Sequence, residues 1–161
     1  MMPSENKKKS KEKKETTFGF EAKRILVPIT GQPADDDVIN IACELARKSK
    51  AEVHVFHVIE VDRRLPIDAV IESEIEKAEL LLTHAEYIAS EIDYEIETDL
   101  VQSREAGPSI VDEAVEGGYD LIVMGMLYKK RFGMFHLGEA IPYVLQSAPC
   151  RVVLCRTTAV K

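Results

Sequence analysis

The hydrophobic pattern of this chain alternates between short dense runs and longer stripes at helical spacing. RILVPIT, beginning at Arg24, is a dense run ended by Pro28 and Gly31, which predicts a buried strand with a turn behind it. Asp35 to Asp37 follow as candidate helix caps, and Val38, Ile41, Ala42 and Leu45 then fall on one helical stripe. AEVHVFHVIE is rich in β-branched residues and predicts a second strand. From about Pro66 to Ser90, the residues Ile67, Val70, Ile71, Ile75, Ala78, Leu82 and Ala85 mark a long amphipathic helix. Tyr94 to Val101 alternates as a third strand, with Ile96 and Leu100 on one face.

After a turn at Gly107-Pro108, SIVDEAVE predicts a short helix stopped by Gly117-Gly118. YDLIVMG is a near-continuous apolar run, as a central parallel strand covered on both faces requires. A helix through Val144 and Leu145 and a fifth strand, RVVLCR, complete the series. Strand and helix alternate throughout, which predicts an α/β fold: one five-stranded parallel sheet sandwiched by helices, open, twisted and Rossmann-like. Sheets of this class bind ligands beyond the carboxyl ends of their strands, at a switch in strand order. The ends that matter are Ile29–Gly31, Val58–Glu60 and Met124–Met126.

Composition narrows the function class. A chain of 161 residues holds one domain with a sizeable core. No apolar run approaches the roughly 18–20 residues that span a bilayer, and no apolar segment follows the N-terminal lysines to make a secretory signal. Met1 to Arg24 carries eight basic against four acidic residues, while the rest carries 13 against 24. Residues 1–22 therefore read as a disordered, Lys-rich, solubilising tail, 23–157 as the domain and 158–161 as a C-terminal tail. Membrane contact by the basic tail is the lesser reading, since it has no apolar face. The acidic body argues against nucleic acid as a partner. Three scattered cysteines, Cys43, Cys150 and Cys155, fit a reducing cytoplasm rather than a disulfide framework.

The segment MGMLYKKRFGMFHLGEAI, from Met124, carries the candidate chemistry. Its glycines outline a loop that feeds a helix, the arrangement by which backbone amides and a helix N-terminus hold a phosphate. Pro142 is tolerated only in a first turn, so the helix should begin near Gly138 or Glu139. Glu139 then lies in that turn, where a carboxylate is stabilised by the helix dipole and repels a phosphate. Lys129, Lys130 and Arg131 bring opposite charge, and Met126, Leu127, Phe132, Met134 and Phe135 make the segment apolar enough to pack or to meet a partner. Enzyme signatures are missing: no nucleophile elbow, Walker loop or dinucleotide fingerprint occurs. His54 and His57 sit three apart on a strand and face opposite sides, so they make no local chelating pair, and no metal site is expected. Asp112, Glu113 and Glu116 read as a solvated helix face, and Glu60 and Asp62 as ordinary surface.

RILVPITG, HVIE, EAGPSIVDEA, DLIVMG, LGEAIPYVL and APCRVVLCR, in this order over roughly Arg24 to Arg156, resemble the universal stress protein family. The resemblance implies a fold like the adenine nucleotide alpha hydrolases and a homodimer paired through the last strand, at Val152, Val153, Leu154 and Cys155. Members that bind ATP carry a glycine, two residues, a glycine, nine residues, then glycine and Ser/Thr. Here the first and third glycines are Gly125 and Gly138, but Tyr128 replaces the second and Glu139 the Ser/Thr. Thr30 stands where the family places an acid after the first strand, and Val58 where a residue packs on adenine. The implied cofactor pocket comprises Pro28, Ile29, Thr30, Val58, Gly125, Met126, Gly138, Glu139 and Ala140.

This reading predicts a cytoplasmic, non-catalytic stress-response domain with a degenerate nucleotide pocket, no bound cofactor and an unidentified protein partner. The alternatives it carries are an ATP-binding regulator with slow hydrolysis and a regulatory domain associated with a membrane transporter.

Overall fold

The computed structural model describes residues 21–127, 130–131, 134–135 and 139–157, so the two predicted tails lie almost wholly outside it. Strands β1 (Arg24–Ile29), β2 (Glu52–Glu60), β3 (Glu97–Ser103) and β4 (Leu121–Leu127) alternate with helices α1 (Ala34–Arg47), α2 (Glu72–Glu91) and α3 (Ala106–Glu116). Beyond them come β5 (Lys130–Arg131), β6 (Met134–Phe135), α4 (Ala140–Ser147) and β7 (Arg151–Thr157). Five strands form one parallel sheet in the order β3-β2-β1-β4-β7. The predicted α/β architecture is the observed one. Within the glycine-bearing segment β5 and β6 pair antiparallel, Lys130 with Phe135 and Arg131 with Met134.

Strand side chains divide by parity between two cores. Ile25, Val27, Ile29, Val53, Val55, Leu121 and Val123 meet α1 and α2, through Val38, Ile39, Ala42, Cys43, Leu82 and Ala85. Leu26, Phe56, Ile122 and Met124 meet α3 and α4, through Ile110, Ala114 and Val144. A strand with helices on both faces has no polar side to show, which is why YDLIVMG lacks alternation. Ile96 and Leu100 both pack against the first core, as their spacing requires.

Four local expectations are corrected. The buried row of α1 is Ala34, Val38, Ile39, Ala42, Cys43 and Ala46, while Ile41 and Leu45 are exposed. Its alanines let the helix lie close to the sheet, so the small residues rather than the largest mark the buried side. Residues 66–71 are not helical, and α2 begins at Glu72. Gln102 Nε2 donates to the carbonyls of Ile67 and Ala69, both at 3.0 Å, and Ile67 and Val70 are exposed. Gly107 and Pro108 lie inside α3 rather than before it, Pro108 being harmless in a first turn. Glu139 is the N-cap residue of α4 rather than a member of its first turn, and its side chain caps nothing.

Among the described residues no helix is long and apolar enough to cross a membrane.

Candidate functional site

Strand order reverses direction at β1. From β1 the chain builds outward through β2 to β3, then returns to add β4 and β7 on the other side. The pairing of β1 with β4 runs through Ile25–Leu121 and Leu26–Ile122, and the same register carried forward sets Ile29 level with Gly125. The crevice at this switch point is where a ligand of such a sheet would bind.

Of the predicted pocket residues, Pro28 and Ile29 are buried at the end of β1 and Thr30 is exposed just beyond it. Val58 is half-buried on β2 and packs with the second core. Gly125 and Met126 lie near the end of β4, Met126 almost fully buried. Glu139 is exposed and Ala140 opens α4. Gly138, together with Tyr128, Lys129 and Phe132, lies outside the described residues. The described set is thus gathered along the carboxyl edge of the sheet.

Two carboxylates missed by sequence reasoning control that edge. Asp35 does not cap the helix it opens; it turns back onto the loop after β1. Its oxygens accept from the backbone N–H of Thr30 at 3.3 Å, Gly31 at 2.6 Å and Gln32 at 3.1 Å. Gly31, at φ +87°, gives the loop the left-handed residue that lets successive amides converge. Burial pushes the Asp35 carboxyl above its usual range, with the loop amides pulling it only part of the way back and the Asp36 charge adding to the rise. Beside it, Gly31, Gln32, Pro33, Leu81 and His84 help line a shallow recess of about 260 Å³. His84 Nε2 meets Asp36 at 3.0 Å across its mouth.

Glu60 is the second. It ends β2 and its Oε1 accepts from the N–H of Ala106 at 3.1 Å, so it occupies the start of α3, 46 residues on. The run Asp35–Asp37 after Gly31-Gln32-Pro33 did signal a capped turn, though not which amides would be capped. No local signal marks Glu60.

Gly125 has a packing reason for being glycine. A Cβ there would lie 2.2 Å from Val38 Cγ2 and 3.4 Å from the Ala34 carbonyl oxygen, so β4 and α1 meet without room for a side chain. Its conformational freedom for a ligand is not needed to explain it. Cys43 offers no reactive thiol either, since it is buried and burial pushes its pKa up to about 11. Chemically, the arrangement is a crevice in which the loop after β1 and the start of α3 already hold internal carboxylates.

The comparisons with known proteins agree on one family. The model of the universal stress protein family matches residues 21–156. A universal stress protein of Methanocaldococcus jannaschii is 28% identical over 140 residues, covering 83% of this chain and 82% of that protein. A solved universal stress protein from Archaeoglobus fulgidus superposes with a TM-score of 0.70 at 25% identity, covering 81% of this chain and 96% of its own. An Archaeoglobus fulgidus structure in complex with dAMP gives a TM-score of 0.66 at 24% identity, covering 81% and 95%.

Proposed function

The chain belongs to the universal stress protein family, and from that premise we propose that it is a non-catalytic member whose nucleotide pocket is closed by its own carboxylates. On this reading it works in the cytoplasm, as a homodimer, through contacts with a protein partner. The observation that carries it is the capture of three successive amides, Thr30, Gly31 and Gln32, by Asp35. A phosphate entering there must displace Asp35 or sit beside it. Unit charges about 4 Å apart at an effective dielectric near 20 repel by about 4 kcal/mol, roughly a thousandfold in affinity. Glu60 at the start of α3 and Glu139 at the start of α4 work in the same direction.

The dimer rests on β7, an edge of the sheet. Val152, Val153, Leu154 and Cys155 are only half-buried on that edge, and pairing with a second copy would cover an exposed row of backbone groups. The second reading, an adenine-nucleotide-binding regulator with slow hydrolysis, draws support from the dAMP held by the Archaeoglobus fulgidus protein. It would need Lys129, Lys130 and Arg131 to replace the missing Ser/Thr, with the amides of Gly125 and Gly138 on the phosphates.

Two substitutions separate the readings. Asp35→Ala and Glu139→Ser should each bring ATP binding at least tenfold below the millimolar range in which the parent shows none, while the regulator reading has both change little. Light scattering on the parent should give a mass of two chains, and a single-chain mass would remove the dimer from the proposal.

A further inference from the structure

A second cluster lies at the opposite end of the sheet from the nucleotide crevice. His54 is the third residue of β2, and its register partner on β3 is Glu97. The next pair on the same face is Phe56 with Asp99. Helix α3 runs back across this face and brings Glu113, from its last turn, over the two strands. One ligand atom each from His54, Asp99 and Glu113 lie within 4.8 Å of one another.

His54 is the anomaly. Both ring nitrogens are buried, and neither makes a hydrogen bond among the described residues. A Glu97 oxygen stands 3.5 Å from Nδ1, and the edge of the Tyr119 ring closes another side at a centroid distance of 5.7 Å. Buried imidazole nitrogens left without partners are costly, and an ion is among the ordinary reasons for finding them. Three carboxylates, Glu97, Asp99 and Glu113, stand around this one imidazole. The Arg24 guanidinium that lies nearby is turned to Glu52, at 3.5 Å, and to the Tyr119 ring.

We propose that His54, Asp99 and Glu113 form a binding site for a divalent transition-metal cation, Zn²⁺ foremost. One imidazole and two carboxylates match its ligand preferences, and Ca²⁺ and Mg²⁺ are disfavoured because they take oxygen ligands. Ligands at about 2.1 Å in tetrahedral geometry stand about 3.4 Å apart, so a 4.8 Å triad closes by modest side-chain rotation. Glu97, 3.5 Å from Nδ1, is placed to close onto the ring nitrogen that does not bind the metal, the supporting position of a carboxylate behind a ligating histidine. Three protein ligands leave a fourth position for water, which reaches the site on the side of the exposed Asp99. The cation ties α3 to the β2–β3 edge of the sheet, leaving the strand ends at Gly31 and Gly125 untouched, so the site stands or falls independently of the nucleotide reading.

The test is Zn²⁺ titrated into the untagged full chain in competition with a chromophoric chelator, repeated with Co²⁺ for its visible spectrum. The expected result is one equivalent bound and a melting temperature that rises with Zn²⁺. Asp99→Asn and Glu113→Gln, conservative changes at partly accessible carboxylates, should each weaken binding at least tenfold, and His54→Asn more. His84→Asn, at the exposed pair with Asp36, should change nothing. Absence of saturable binding, or binding that survives Asp99→Asn and Glu113→Gln, or that is lost with His84→Asn, overturns the site.

Discussion

At Gly125 a missing side chain has two competing explanations, and their energetic consequences differ. If the glycine serves close packing, Gly125→Ala drives a methyl into Val38, 2.2 Å away, and β4 must part from α1. Overpacking of this kind costs about 1–3 kcal/mol. Urea unfolding should show that loss, and Val38→Ala, which removes the opposing methyl groups, should recover a large part of it in the double variant. Simple additivity of the two substitutions would argue that they do not share the contact. The sequence showed a glycine at a nucleotide-motif position and nothing of the helix pressed against it, because the spacing signature is the same for both causes. Asp35 is a similar case: an acid at a helix start reads as a cap, and only the fold of Gly31 and Gln32 reveals that the loop amides claim it. Glu60 was beyond reach altogether, since its partner Ala106 is brought to it by an intervening helix and strand.

Elements were legible where burial imposes a period and illegible where a single polar side chain overrides one. The parity of β1, β2 and β4 assigns each side chain to one of two cores, and the strands read as dense apolar runs for that reason. Ile67, Val70 and Ile71 keep helical spacing, yet the segment before α2 is held open by the Gln102 amide on the carbonyls of Ile67 and Ala69. Those two carbonyls are thereby spoken for by a side chain from β3. Gln102→Ala should cost about 1–3 kcal/mol, at roughly 0.5–1.5 kcal/mol for each of the two hydrogen bonds, and should speed amide exchange at residues 67–70. Unchanged exchange there would mean that Pro66 and its turn alone hold the segment. The α1 stripe was displaced for a different reason: Ala42, Cys43 and Ala46 pack closely where the larger Ile41 and Leu45 would hold the helix off.

For the whole molecule, alternation of strand and helix was enough to give the layers, and the ordered motifs gave the family to which the chain belongs. What alternation does not reveal is how the two ends of the sheet are used. The carboxyl end has a switch-point crevice, with Asp35 on the amides of the loop after β1 and Glu60 on the first amide of α3. The amino end gathers His54, Asp99 and Glu113 from β2, β3 and α3, residues 59 apart at their extremes, which no local motif could announce. On the proposed function, the crevice is closed to nucleotides by the chain's own acids. Calorimetric titration of Mg²⁺-ATP into the purified chain, at moderate salt, tests it most directly. No saturable heat is expected up to millimolar ATP; saturation with a dissociation constant in the micromolar range would overturn the closure.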